Sequence, residues 1–188
     1  MDWRHLGKLS VAGRSVFSEL KNVCIWNKTN GGMGSFYRSK HELIFVFKIG
    51  NAPHINNFGL GETGRYRTNV WDYAGVNSRR TDRLGDLEKH PTVKPAALVK
   101  EAIMDCSRRG DIVLDMFGGS GTTLVAAEKT GRICRLIEFD AVYCDAIIRR
   151  YETLSGRPAT LASTNEEFEL IAERRLCSAE QGVSSNVG

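Results

Sequence analysis

The stretch VLDMFGGSGTT, residues 113–123, decides how the rest of the chain is interpreted. Hydrophobic residues run into an acid, Asp115, an aromatic, Phe117, and then glycines at positions 118, 119 and 121. Glycine lacks a side chain and reaches backbone conformations closed to other residues, so a ligand can approach the main chain at such a turn. The sequence therefore predicts a binding site where a strand ends and a helix begins.

Strands and helices alternate on both sides of this turn. Hydrophobic periodicity and glycine or proline breaks define the predicted elements. Predicted helices cover residues 1–20, 92–107, 122–131, 141–156 and 166–176, and predicted strands cover 22–28, 41–48, 111–117, 132–140 and 159–163. This order favours an α/β domain with a largely parallel sheet.

Three classes of cofactor compete for the glycine turn. A triphosphate-binding loop needs a Gly-Lys-Ser/Thr sequence, which this chain lacks, and the dinucleotide pattern G-x-G-x-x-G is broken at Leu124. S-adenosylmethionine carries no phosphate and needs backbone donors for its carboxylate, an acid for its ammonium group and an acid for its ribose. Asp115 and Glu138 stand at the ends of successive predicted strands, where those acids are expected.

The sequence Asp115-x-Phe117-x-Gly119-x-Gly121 resembles the cofactor motif of amino-group DNA methyltransferases. The segment HPTVKP, residues 90–95, is similar to the one that precedes this motif in members with permuted order, in which the catalytic half comes first. The resemblance implies a Rossmann-like α/β methyltransferase fold, S-adenosylmethionine as cofactor and double-stranded DNA as substrate. The cofactor-binding residues that it implies are Asp115, Phe117, Gly118, Gly119, Gly121, Thr122, Glu138 and Lys94.

Several of these residues also have a purely structural interpretation. Phe117 is either a wall of the cofactor pocket or part of the core, and Lys94 either contacts the methionine end of the cofactor or is a solvated lysine at a helix start. Glu138 could be an exposed acid at a strand end. Asp140 is expected to cap the following helix.

One expected motif is missing from the chain. Members of the family carry a [DNS]-P-P-[YFW] tetrapeptide that orients the target amino group and stacks on the flipped base. The four prolines here, at 53, 91, 95 and 158, are never adjacent. The resemblance places that tetrapeptide upstream, on a strand between those at 111–117 and 22–28, so we expect a permuted sheet that lacks one central strand. We expect the chain alone to be inactive, and either to be marginally stable or to need a partner, for which a chain that supplies the N-terminal half is one candidate.

Charge and composition suggest the partner and the compartment. Net charge is +4 overall, and residues 1–90 carry +6 of it against −2 for the remainder. This bias favours a polyanionic partner. The predicted DNA-binding residues, mostly in the glycine-, arginine- and aromatic-rich segment 50–90, are Arg65, Arg67, Arg79, Arg80 and Arg38. Five scattered cysteines, no secretory leader and no metal-ligand spacing favour a cytoplasmic protein without a metal.

The predicted organisation is a partial methyltransferase domain, residues 1–172, followed by a flexible tail, 173–188. Within the domain, 1–49 is the remainder of the catalytic half, 50–90 a target-recognition-like connection and 91–172 the cofactor half. The leading hypothesis is a truncated, site-specific DNA methyltransferase of a restriction-modification type that acts on adenine N6 or cytosine N4. The alternatives are a non-catalytic cofactor- or DNA-binding remnant, one half of a two-chain enzyme, and a small-molecule or RNA methyltransferase.

Overall fold

A computed structural model describes residues 1–34, 36–57, 67–75 and 94–184, with side chains to residue 177. The elements, in chain order after a 3-10 turn at Trp3–His5, are α1 (Leu6–Val16), β1 (Glu19–Asn27), β2 (His41–Lys48), β3 (Val70–Asp72), α2 (Ala96–Cys106), β4 (Ile112–Asp115), α3 (Thr122–Thr130), β5 (Ile133–Leu136), α4 (Ala141–Ser155) and α5 (Phe168–Ser184). The predicted α/β class is confirmed.

The described strands form two separate sheets. One has the order β2-β1-β3, in which β1 pairs antiparallel with β2 and parallel with β3 over Ile25–Asn27. The other contains β4 and β5, which are parallel. Among the described residues no strand pair joins the two sheets. The missing strand was predicted to lie between β4 and β1, but β1 is the middle strand of its sheet and pairs with β3 over Ile25–Asn27, so the structure shows no gap beside β1 there.

Helix α2 packs against both sheets. Its Leu98 joins a cluster with Trp26 of β1 and Trp71 of β3. One turn further on, Ile103 packs on Ala126 and Ala127 of α3. The helix thus connects the three-stranded sheet to the unit that carries the glycine turn.

Most predicted boundaries agree with the structure, because local residues determine them. Gly131 and Gly156 end α3 and α4 with φ of 69° and 66°, the left-handed conformation that glycine adopts readily. Asp140 caps α4 as predicted, since its Oδ1 accepts a hydrogen bond from the Val142 amide at 2.8 Å. Helix α1, predicted to reach residue 20, ends at Val16 because Phe17 becomes extended and stacks on Phe47 at 5.1 Å.

Two predictions near the C-terminus were wrong. The strand predicted at 159–163 is only a bridge between Thr160 and Glu167, because the chain turns back immediately and Asn165 adopts a φ of 60°. The last helix, predicted to end at 176, continues to Ser184 and so covers part of the predicted tail, residues 173–188. Its glutamate, alanine and arginine residues favour helix. None of the described helices has the length and apolar character needed to span a bilayer.

Candidate functional site at the glycine turn

Asp115 fixes the start of the glycine turn. It is the last residue of β4, and its Oδ1 accepts a hydrogen bond from the Phe117 amide at 3.0 Å. Its Oδ2 accepts one from the Thr123 hydroxyl, in the first turn of α3, at 2.6 Å. One carboxylate therefore joins the strand end to the helix start.

The three glycines have different roles in the turn. A Cβ on Gly118 would lie 2.5 Å from Leu136 Cδ2 and 3.2 Å from Ile147 Cδ1, so this position must lack a side chain for β5 and α4 to pack. Gly121 has a φ of 72° and meets the same Ile147. Gly119 has a φ of 52°, and the nearest atom that a Cβ there would meet is the Phe117 carbonyl oxygen at 3.9 Å. Of the three glycines, only Gly119 therefore has open space beside its backbone.

Glu138 closes the other side of the turn. Its Oε2 accepts a hydrogen bond from the Gly119 amide at 2.6 Å, while Oε1 accepts from the amides of Phe139 at 2.8 Å and Asp140 at 3.0 Å. The Gly118 amide also donates to the Ile137 carbonyl at 2.8 Å. The ends of β4 and β5 are thus joined, and both predicted acids lie at the glycine turn.

Two further predicted residues differ in burial. Phe117 is 89% exposed, so its interpretation as a core residue is wrong and a wall beside the turn remains. Thr122 is buried, and its hydroxyl lies 3.0 Å from that of Ser120. Its side chain therefore stabilises the turn through Ser120, and its predicted contact with the cofactor stays a prediction.

The sequence did not predict Arg150, which contacts the turn from α4. Its guanidinium donates a hydrogen bond to the Ser120 carbonyl at 2.6 Å, and burial lowers its pKa. The sequence also did not predict the hydrogen bond from Thr123. Nothing local in the sequence pairs either residue with the turn, because the contacts span 30 and 8 residues.

Lys94 contacts the three-stranded sheet. Its Nζ lies 3.4 Å from Glu42 of β2 and 5.9 Å from the ring centroid of Trp26. Lys28 also pairs with Glu42, at 2.6 Å. Although burial favours the neutral acid, the hydrogen bond from Lys28 and the charge of Lys94 hold the Glu42 pKa below its ordinary value. The predicted contact of Lys94 with the cofactor stays a prediction.

Arg67 connects the segment before β3 to α2. Its guanidinium pairs with Glu101 and with Asp105, the latter at 2.7 Å, and lies 4.4 Å from the ring of Trp71. Burial raises the pKa of Asp105 despite this arginine. The nearby Tyr73 hydroxyl has a pKa raised to about 12 by burial and by its hydrogen bond with Glu101. These contacts favour a structural role for Arg67, and its predicted DNA contact stays a prediction.

The remaining predicted DNA contacts are placed only in part. Arg38 folds back on the β1–β2 loop and donates to the carbonyls of Gly31 at 2.8 Å and Gly32 at 3.3 Å. Arg65, Arg79 and Arg80 lie outside the described residues. Of the five predicted arginines, the described residues therefore place only Arg38 and Arg67.

Solved structures with the same fold define the class of the protein. The crystal structure of an M1.HpyAVI–SAM complex is 25% identical, with a TM-score of 0.62 over 80% of this chain and 71% of that chain. PvuII DNA methyltransferase (cytosine-N4-specific) is 20% identical, with a TM-score of 0.61 over 79% of this chain and 56% of that chain, and shows the fold alone. Fold and site together define a Rossmann-like methyltransferase unit. The M1.HpyAVI–SAM complex supports S-adenosylmethionine as the cofactor of this class of protein.

Sequence comparison gives the family. Residues 12–149 match the family model described as DNA methylase, and the chain belongs to that family. It is 41% identical to the DNA adenine methyltransferase YhdJ of Escherichia coli K12 over 107 residues, which are 57% of this chain and 33% of the relative. It is 27% identical to the type II methyltransferase M2.MboI of Moraxella bovis over 144 residues, which are 73% of this chain and 51% of the relative. The chain thus spans between a third and a half of the length of these two relatives.

Proposed function

We propose that this chain is the S-adenosylmethionine-binding part of an amino-group DNA methyltransferase. The observation that carries this proposal is the placement of Asp115 and Glu138 on either side of the open backbone at Gly119. The family match over residues 12–149 and the M1.HpyAVI–SAM complex support it. The expected reaction is methyl transfer to an exocyclic amino group of DNA, on adenine N6 or cytosine N4.

The groups around the turn fit this cofactor. A carboxylate can accept about four hydrogen bonds, so Asp115 keeps acceptor capacity for an ammonium group beyond its bonds to Phe117 and Thr123. Glu138 lies where a ribose hydroxyl can share or replace its bond to the Gly119 amide. The start of α3, at Gly121, has no side-chain cap and presents its positive dipole end to a carboxylate. When bound, the cofactor supplies an electrophilic methyl group on sulfonium sulfur.

We further propose that residues 1–188 alone do not transfer methyl groups. No Pro-Pro dipeptide occurs in the sequence, so the chain as given lacks the carbonyl and aromatic groups that orient the target amine in the family. The permuted order and one half of a two-chain enzyme are finer versions of this proposal. A non-catalytic remnant is a separate alternative. It predicts that adding the unmatched part of a relative does not restore methylation.

Isothermal titration calorimetry of the folded chain tests the cofactor assignment. The ligands are S-adenosylhomocysteine, S-adenosylmethionine, NAD and ATP. We expect heat with the first two compounds only. Because hydrogen bonds to charged groups contribute about 1.5–3 kcal/mol, Asp115→Asn should weaken binding by roughly 10- to 100-fold. The matched control is Asp145→Asn, on the exposed surface of α4, which should bind like the wild type. Heat with a nicotinamide or triphosphate nucleotide, and none with the sulfonium compound, would remove the proposal.

A further inference from the structure

Arg150 of α4 fixes one peptide group of the glycine turn. Its Nη1 donates a hydrogen bond to the Ser120 carbonyl oxygen at 2.6 Å. The amide of the same peptide group, which belongs to Gly121, donates to the Gly118 carbonyl oxygen at 2.8 Å. Both polar ends of the Ser120–Gly121 peptide are therefore held, and its carbonyl oxygen is directed to α4.

The charge of Arg150 has no counter-ion among the described residues. Arg150 is half-buried, and Ser120 beside it is buried. Within the described ranges, the hydrogen bond of its guanidinium goes to this neutral carbonyl alone, and burial lowers its pKa. The preceding residue, Arg149, is exposed and pairs with Glu169 at 2.5 Å. Since buried charges are normally paired, we expect the charge of Arg150 to be balanced by an anion from outside the chain.

The peptide that Arg150 holds lies directly before the start of α3. This helix begins at Thr122, and Gly121 before it provides no side-chain cap. The first amides of a helix have no partner within it, and here the first bond runs from the Val125 amide to the Gly121 carbonyl at 3.1 Å. The Ser120 carbonyl is close to these amides in the chain, and its oxygen would repel an anion bound there. Its hydrogen bond to the guanidinium offsets that repulsion.

We propose that Arg150 is a positioning residue for the carboxylate of the cofactor. It holds the Ser120–Gly121 peptide in place and adds positive charge behind the start of α3, and it acts through the Ser120 carbonyl. The inference rests on the proposed function, because it takes S-adenosylmethionine as the ligand of the turn. It goes beyond that function by naming the residue that makes the turn select a ligand with a carboxylate.

Two ligands that differ only in the carboxylate test this role. S-adenosylmethionine and its decarboxylated form share the adenosine, the sulfonium and the ammonium group. Calorimetry gives the Kd of each compound for the wild type and for Arg150→Met, which lacks the charge and the donors. We expect the ratio of the Kd for the decarboxylated compound to the Kd for S-adenosylmethionine to fall about tenfold in Arg150→Met, because the interactions that favour a carboxylate are lost. Arg149→Met, on the same helix, is the matched control and should keep the wild-type ratio.

The ratio distinguishes this role from a purely structural one. If Arg150 only stabilised the turn, both Kd values would rise together in Arg150→Met and the ratio would stay constant, which would overturn the inference. Arg150→Lys keeps the positive charge, so its ratio should fall less than that of Arg150→Met. An equal fall in both variants would contradict the part assigned to the charge.

A measurement on the wild type covers the case in which circular dichroism shows Arg150→Met to be unfolded. The Nε–Hε resonance of Arg150 in the NMR spectrum should shift with S-adenosylmethionine and stay in place with the decarboxylated compound. Equal behaviour with both compounds would overturn the inference. A wild type that binds neither compound would remove the proposed function as well, whereas binding of S-adenosylmethionine with an unchanged ratio in Arg150→Met would remove only the role of Arg150.

Discussion

The carboxylate of Glu138 accepts a hydrogen bond from the Gly119 amide at 2.6 Å, although the two residues are 19 positions apart. This bond joins the end of β5 to the glycine turn that follows β4. On the other side of the turn, Asp115 accepts a hydrogen bond from Thr123 and so holds the start of α3. The two acids therefore stabilise the turn, and we propose that they also bind the cofactor.

The close packing of Gly118 gives a first prediction. An alanine Cβ there would lie 2.5 Å from Leu136 Cδ2, so the side chains under the turn must shift. We expect Gly118→Ala to lower the free energy of unfolding by about 1–3 kcal/mol, as overpacking usually does. Urea denaturation followed by circular dichroism measures this change. Gly7→Ala in α1 is the control, because its Cβ would meet nothing within 4 Å and should raise stability by about 0.5–1 kcal/mol. Equal effects at both positions would contradict the packing described at the turn.

The cations around Glu42 predict a pH dependence. Its pKa in the folded state lies below the ordinary value of 4.5, so the folded chain binds fewer protons than the unfolded chain in this range. The ionised Glu42 carboxylate therefore makes its full contribution to the free energy of unfolding above about pH 5.5. That contribution is lost as the pH falls through 4.5 towards the folded-state pKa.

We expect Glu42→Gln to reduce the stability difference between about pH 6 and pH 4 in denaturant titrations. Glu173→Gln, at an exposed position of α5, is the matched control and should keep the wild-type difference. An unchanged pH profile in Glu42→Gln would show that the cluster of Lys28, Lys94 and Glu42 does not contribute as described.

Local residues predicted much of the fold, and long-range contacts account for what they did not. Periodicity located nearly every helix and strand, and Asp140, Gly131 and Gly156 act as predicted because caps depend on neighbouring residues. The stacking of Phe17 on Phe47, which ends α1 early, joins residues that are distant in sequence.

In the candidate site, too, local sequence predicted some contacts and long-range contacts account for the others. The spacing of Asp115, the glycines and Glu138 was sufficient to predict that the acids meet the turn. The ion pairs of Arg67 with α2 were not predictable, because its sequence neighbours are arginine-rich and polar like a DNA-binding loop. Exposure of Phe117 was left open by the sequence, since an aromatic after a strand fits either a core or a pocket wall.

The arginines of the 50–90 segment give a third prediction. If Arg79 and Arg80 contact phosphates, the double substitution to alanine should weaken DNA binding and reduce the slope of log affinity against log salt by about 1.8, roughly 0.9 for each contact. Fluorescence anisotropy with a labelled duplex over a salt series measures the slope. An unchanged slope would remove both residues from the interface.

Arg67 provides the comparison for that experiment. Because its guanidinium is already paired with Glu101 and Asp105, we expect Arg67→Ala to leave half-buried carboxylates without their partner. The cost should be about 1–3 kcal/mol of unfolding free energy, with a smaller change in salt slope than Arg79 and Arg80 produce. A large slope change without destabilisation would restore the DNA contact predicted for Arg67.

Backbone NMR of the labelled chain during titration with S-adenosylhomocysteine tests the central assignment most directly. We predict that the largest amide shifts occur at residues 115–123 and 138–140, with Gly119 foremost, because its hydrogen bond to Glu138 must change when a ribose hydroxyl approaches. Saturable shifts confined to other residues, or no shifts at concentrations far above those of ordinary cofactor binding, would contradict the assignment of this turn as the cofactor site.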